Sequence, residues 1–340
     1  MEEKMKKLLT IVVPSYNVQK YLRQTIESFL DERVLERIEV LIVDDGSQDE
    51  TAKIAMEYQI KFPNSIRLIS KENGGHGSTI NRGIQEASGK YFKVVDGDDW
   101  VNTEDFVKLV EKLKNCNSDY VVTNYYEVND NTGELTPKSY PALRQAGEQK
   151  FEEIARKVQM GMHSLTIKTK LLKENKIRLD EHCFYVDVEY ILFPVPYVQT
   201  VEYFELFVYM YRLAQATQSV SMRGYQKHMQ NHIDVIMHLT DFLEDYRGKV
   251  GGTEKTEYIG KRIAQMIGDQ ITIFLSFSPK DNEIKKKFIA FDEKLKKKSK
   301  YIYELSGRES GILRVLRKSR FKGYYLIVEA GRIKHGMRDK

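Results

Sequence analysis

The chain has 340 residues, 41% of them apolar, which is long enough for two domains and apolar enough for a sizeable core. Its two cysteines, Cys116 and Cys183, lie far apart with no CxxC pair or metal-binding spacing, which leaves no disulfide framework and suits a reducing cytoplasm. The first apolar run is too short for a signal peptide and nothing approaches transmembrane length, so a cytoplasmic protein, soluble or peripheral, is expected. The net charge of +5 is uneven: residues 285–340 hold 18 Lys and Arg against 6 Asp and Glu, and the remainder 36 against 43. A mildly acidic body thus carries a basic tail, a pattern suited to anionic lipid or nucleic acid.

In chain order, LLTIVVPSYN from Leu8 reads as a buried strand closed by Pro14. An amphipathic helix follows, with Val18, Leu22, Ile26, Phe29 and Leu30 at helical spacing. A second buried strand, IEVLIVDDGS from Ile38, ends in Asp44, Asp45, Gly46 and Ser47. A helix near 50–61, a strand from Ser65, and a glycine-rich loop from Lys71 that feeds another helix come next. KYFKVVDGDDWV, from Lys90, is an apolar strand ending abruptly in Asp96, Asp98 and Asp99. Acids gathered at the end of a buried strand face cations most simply, here Mg²⁺ or Mn²⁺, and a solvated acidic turn is the other reading.

Strand and helix alternate through the first hundred residues, which predicts a doubly wound α/β sheet. Parallel strands bring their carboxyl ends to one edge, so Ser15–Asn17, Asp44–Ser47 and Asp96–Asp99 should converge in one cleft. Beyond them the pattern predicts a helix over 103–114, a strand from Ser118, a loop or hairpin over 129–147 and a helix from Phe151. A strand entering a helix from His163, an apolar helix from Tyr185 stopped by Pro194 and Pro196, and a strand from Val201 complete the series. From about Ser221 amphipathic helices take over, so the expected domains are 1–221 and 222–340. His228 and His232, four apart on one of these helices, suggest either a metal pair or, more simply, a solvated face.

The glycine-rich loop lacks the GK[ST] of a phosphate-binding loop, and no GxGxxG follows the first strand. Taken together, TIVVPSYN, VLIVDDGSQDET, ENGG and DGDDW resemble, in order and spacing, the inverting glycosyltransferases of family 2, with the GT-A fold. The resemblance covers roughly the first 220 residues. It implies that Pro14 and Tyr16 border the uracil of a UDP-sugar, Asp45 bonds that base, and Asn73 helps close the nucleotide pocket. It further implies Asp96 on the ribose, Asp98 on a Mn²⁺ or Mg²⁺ that bridges the diphosphate, and Asp99 beside the donor sugar.

In FYVDVEYILFP, Asp187 matches the family's general base, with Val186 where a Glu is usual and Glu189 as the fallback; only one of the two acids can share the cleft face. Arg212, in YRLAQATQSVS, is the candidate for closing over the diphosphate. The family's usual arginine is missing from STINRGI, leaving His76 or Arg82 to compensate.

The implied reaction moves a sugar by single displacement to a saccharide or lipid-linked glycan acceptor, because a sugar hydroxyl needs a positioned carboxylate to take its proton. A nucleotidyltransferase, or a silent partner subunit that binds nucleotide-sugar, are the alternatives. For the tail, an amphipathic face of Ile312, Leu313, Leu316, Phe321, Tyr324 and Tyr325 amid Arg and Lys favours an anionic membrane over nucleic acid. A homo-oligomer stays open.

Overall fold

The apolar runs form a mixed ten-stranded sheet, seen in a computed structural model that describes residues 7–144, 147–213, 221–279 and 281–334. The chain divides into two units, residues 1–215 and 216–340. Most of the YRLAQATQSVS segment after Leu213, including Ser219, lies outside the described residues.

The strands of the first unit are β1 (Leu9–Ser15), β2 (Ile38–Asp44), β3 (Ile66–Ser70), β4 (Tyr91–Val94), β5 (Trp100–Val101), β6 (Tyr120–Asn129), β7 (Leu135–Lys138), β8 (Glu148–Lys150), β9 (Leu165–Lys168) and β10 (Thr200–Leu213). Its helices are α1 (Leu22–Glu27), α2 (Thr51–Lys61), α3 (His76–Glu86), α4 (Thr103–Leu113), α5 (Phe151–Ile154), α6 (Thr169–Glu174) and α7 (Asp187–Leu192). The sheet order is β3-β2-β1-β4-β9-β6-β10-β5, with β7 against β6 and β8 against β10. β1 lies parallel to β2 and β4, and β2 parallel to β3, so Ser15, Asp44 and Ser70 stand side by side at one edge. This is the convergence that alternating strands and helices require.

Two features depart from a simple doubly wound sheet. β9 runs antiparallel between β4 and β6. β10 follows β6 in parallel through register shifts after Phe204 and Phe207, then pairs antiparallel with β5, Met210 opposite Trp100. Shifts of this kind re-aim a strand's end, and here they deliver Tyr209 and Arg212 to the acidic turn after β4.

β1 is buried at every position, as its uninterrupted apolar run demands. The core against it draws on Ile26, Phe29, Ile42, Phe106, Val110 and Val208. α4 starts where the Asn102 side chain accepts from the Asp105 N–H, and Glu104 and Asp105 suit its positive end. Its buried stripe, Phe106, Leu109, Val110 and Leu113, follows the helical repeat.

The second unit contains α8 (Met222–Lys227), α9 (Met229–Val250), α10 (Glu254–Leu275), α11 (Asn282–Lys298), α12 (Lys300–Glu309), α13 (Gly311–Lys318) and α14 (Tyr324–Lys334). α9 ends at Gly251, whose φ of 74° suits glycine, and Thr253 with Thr256 forms a capping box that starts α10. Phe274 stacks on Phe288 at 4.6 Å in the core of this unit. His232 is not on a solvated face: it is buried, with Nδ1 2.9 Å from Gln270 Oε1, and burial holds its imidazole down to about 4. Among the described residues no helix is long and apolar enough to cross a membrane.

Phe106 is fully buried, its ring 5.5 Å from that of Phe29. Phe106→Ala should cost roughly 3–5 kcal/mol. It would be read as a lowered denaturant midpoint, with an unchanged slope, for the transition of the first unit.

Candidate active site

After β4 the chain turns tightly enough for the Gly97 N–H to reach Pro14 O at 3.0 Å, and for the Asp99 N–H to reach Asp96 O at 3.0 Å. That turn sends three neighbouring acids to different surroundings. Asp96 is partly exposed, with Oδ1 2.7 Å from His76 Nε2. Burial disfavours its ionisation, but the imidazoles of His76 and His163 outweigh that and keep the carboxyl below its ordinary range. Burial, and then repulsion from Asp96, push Asp98 up to about 6. Asp99 is 2% exposed; Oδ2 accepts from Tyr209 Oη at 2.6 Å and Oδ1 from the Arg212 N–H at 2.7 Å. Burial and the two neighbouring carboxylates raise Asp99 well above the usual range.

Asp99 therefore does not open onto the cleft beside a sugar, as expected; it ties β10 to the acidic turn. Arg212 is corrected in the same way. Its guanidinium is buried against the rings of Tyr21 and Trp100, 4.6 and 4.5 Å from their centroids, and Nε donates to Asp98 O at 2.7 Å. With Asp130 and Gln24 as further partners, it braces the turn from behind.

At the end of β2, Asp45 is buried and its carboxylate gathers the glycine-rich loop. Lys71 Nζ lies 2.7 Å from Oδ1, the Gly74 N–H 2.9 Å from Oδ1, and the Gly75 N–H 2.7 Å from Oδ2. Asn73 Nδ2 donates to Asp45 O at 3.0 Å. Asp45 and Asn73 are thus brought together, and residues 71–75 are held against Asp45. Asp44 accepts from the Ser47 N–H at 3.2 Å, as a capping turn would. Pro14 is buried beneath this edge, whereas the Tyr16 ring is 51% exposed beside Asn17, whose φ is 53°.

The loop leads into α3, whose first residue is His76. Burial disfavours the charged imidazole, but Asp96, Asp187 and Asp98 together raise its affinity for a proton above the ordinary value. His76 is thus the imidazole on which Asp96, Asp98 and Asp187 all act. Arg82 is engaged elsewhere, 2.9 Å from Glu86 one turn along the same helix.

Residues 179–186 are anchored to α3: the Asn81 side chain bonds Leu179 at both its N–H and its carbonyl, and the His182 N–H donates to Gly74 O. A Cβ at Gly77 would lie 2.0 Å from Asp180 O, so only glycine lets this segment approach. The approach sets Asp187, partly exposed, at the first position of α7. Glu189 is fully buried and accepts from the Asp180 N–H at 2.8 Å, which removes it as the fallback base.

Three further residues escaped sequence reasoning. Lys71 clamps Asp45. His163 stacks on Tyr211 at 4.0 Å and stands edge-on to Tyr209. Lys93, fully buried in β4, donates to the carbonyls of His163 and Leu165 at 2.9 and 3.1 Å, and burial lowers it to about 7. A lysine inside an apolar strand was the one available signal for the last of these.

The donor set suits a hard divalent cation such as Mn²⁺ or Mg²⁺. Asp98 is held reluctant to ionise by Asp96, and a cation at these carboxylates would remove that penalty. Asp96, Asp99 and His163 also offer ligand atoms within 4.8 Å of one another, although Asp99 is already committed to Tyr209 and Arg212.

A mixed, mostly parallel sheet whose strand ends gather acids, followed by a C-terminal helical region, is an α/β arrangement of the GT-A type. Residues 10–174 match the family described as Glycosyl transferase family 2. Curated relatives include glycosyltransferase GlyA of Streptococcus pneumoniae, 34% identical over 37% of this chain and 18% of its own length. They also include EpsJ of Bacillus subtilis, an uncharacterized glycosyltransferase 36% identical over 40% of this chain and 39% of its own length. The match thus spans well under half of these relatives. Among solved structures, residues 1–349 of S. aureus TarS with UDP-GlcNAc share the fold at a TM-score of 0.63 and 18% identity, over 98% of this chain and 93% of that one.

Two measurements follow from this geometry. Because Asp98 is pushed up to about 6, a Mn²⁺ ion held at its carboxylate would have to displace a proton below that pH. Mn²⁺ affinity, followed by isothermal titration calorimetry, should level off above pH 7 and fall toward about tenfold per pH unit below 6. Gly77→Ala should destabilise the first unit by roughly 1–3 kcal/mol in denaturant unfolding, because the Asp180 backbone must move.

Proposed function

We propose that the chain is an inverting glycosyltransferase that moves a hexose or N-acetylhexosamine from a UDP-sugar to a saccharide or lipid-linked glycan acceptor. The observation that carries this reading is the meeting of Asp96 and Asp98 with Asp187 around His76, beside the glycine-rich loop gathered by Asp45. The family match over residues 10–174 supports it, as does the fold shared with TarS, a protein whose structures include complexes with UDP-GlcNAc and with UDP. A further relative, minor teichoic acid biosynthesis protein GgaB of Bacillus subtilis, favours a role in surface-polysaccharide or cell-wall glycan assembly.

In this reading Tyr16 stacks on the uracil over Pro14, and Asp45 with Asn73 closes the base pocket. Asp96 takes the ribose. Asp98 holds Mn²⁺ or Mg²⁺, which supplies Lewis-acid stabilisation of the departing diphosphate charge. Asp99 and Arg212 keep the acidic turn in register. His76, placed among the acids, faces the phosphates in place of the family's usual arginine, Arg82 being held by Glu86. Asp187 accepts the acceptor hydroxyl's proton as that oxygen attacks the anomeric carbon, and a single displacement inverts it.

Asp187→Asn should lower transfer by roughly 10²–10⁴-fold while leaving Mn²⁺-dependent UDP binding unchanged. Asp98→Asn should weaken that binding itself. Release of UDP from a panel of UDP-sugars with Mn²⁺ provides the assay. Full activity in Asp187→Asn would remove it as base, and UDP binding without turnover of any sugar would assign the silent nucleotide-sugar-binding role instead.

A further inference from the structure

The basic tail folds in a way its helical stripe does not foretell. Leu313, Leu316, Phe321 and Tyr324, expected on an exposed apolar face, are buried in the core of the second unit. Phe321 and Tyr324 pack edge-on to Phe288, and Arg317 is drawn in with them, Nε 2.8 Å from Asp292 Oδ1 with both side chains largely buried. An amphipathic pattern only requires that one face leave water; here the protein's own core covers it.

What remains on the outside of α13 is a different surface. With Leu313 and Leu316 turned inward, the outward side carries Ile312 and Val315, 47% and 54% exposed, between the exposed Arg314 and Lys318. Beside it, α12 and α13 enclose an open depression of about 600 Å³ whose lining includes Arg308, Arg314, Arg317 and Lys318. Arg317 is neutralised by Asp292, and Glu304, the acid in the lining, lies 3.9 Å from Lys300. Arg308 and Lys318 take part in no ion pair among the described residues. Arg314 is fixed by donating from Nε and Nη2 to Gly307 O and Arg308 O, which presets its place at the rim.

We propose that this corner docks on an anionic lipid surface, the depression receiving phosphate headgroups while Ile312 and Val315 enter the boundary between headgroups and acyl chains. Charge complementarity selects this occupant. Exposed aliphatics alone would suit a second copy of the chain, but a second copy would bring the same unpaired Arg308, Arg314 and Lys318 against these. A phosphate-bearing surface supplies the missing anions and an apolar layer at once. The proposal does not depend on the function of the first unit.

The test is co-sedimentation of the full chain with sucrose-loaded vesicles of phosphatidylcholine alone or containing about one third phosphatidylglycerol. Binding is expected only with the anionic vesicles, and it should weaken as salt is raised. Arg308→Glu with Lys318→Glu, neither of which disturbs a described ion pair, should reduce partitioning by at least about tenfold. Ile312→Asn with Val315→Asn should reduce it while leaving the preference for anionic vesicles in place. Equal binding to both vesicle types, or unchanged partitioning of the charge-reversed variant, overturns the proposal. So does a result in which Ile312→Asn and Val315→Asn convert a dimer to a monomer by light scattering without affecting vesicle binding.

Discussion

Repulsion among Asp96, Asp98 and Asp99 is the constraint on which the first unit is built. Three carboxylates within four positions cannot share one environment, and the fold answers by separating them. Asp99 turns inward to Tyr209 and the Arg212 N–H, where it binds the far end of the sheet to the turn. Asp96 is matched with His76. Asp98 is left raised and unsettled at the cleft. The shifts in β10, the short β5 and the buried guanidinium of Arg212 all serve this partition.

The parallel strands were readable because uninterrupted apolar runs admit few other structures, and the convergence of their polar ends follows from parallel pairing alone. The acidic strand end and the different exposure of Asp187 and Glu189 were also within reach, since residues two apart on a helix face apart. The antiparallel insertion of β9 was not legible, because a four-residue strand carries no mark of its neighbours. Nor were the inward places of Asp99 and Arg212. Adjacent aspartates look alike in sequence, and the pocket that stacks Arg212 is assembled from Tyr21 and Trp100, distant along the chain.

The tail shows the same limit from the opposite side. Periodicity located its helices, but it cannot say whether water is excluded by lipid or by a neighbouring helix. Leu313 and Leu316 meet the protein's own core, while Ile312 and Val315, chemically equivalent to them, do not. Burial separates the two pairs where hydropathy cannot.

The approach of Gly77 to Asp180 has a bearing on how such a site can change. The helix that opens on His76 and the segment that presents Asp187 meet without space for one methyl group. Substitutions that altered the spacing between His76 and Asp187 would have to reshape backbone on both sides. The Tyr16 ring, half open to solvent, meets no such restriction. A cleft built in this way is held fixed at its centre and leaves room for variation at its edge, so descendants of this sequence can change the rim without moving the backbone beneath it.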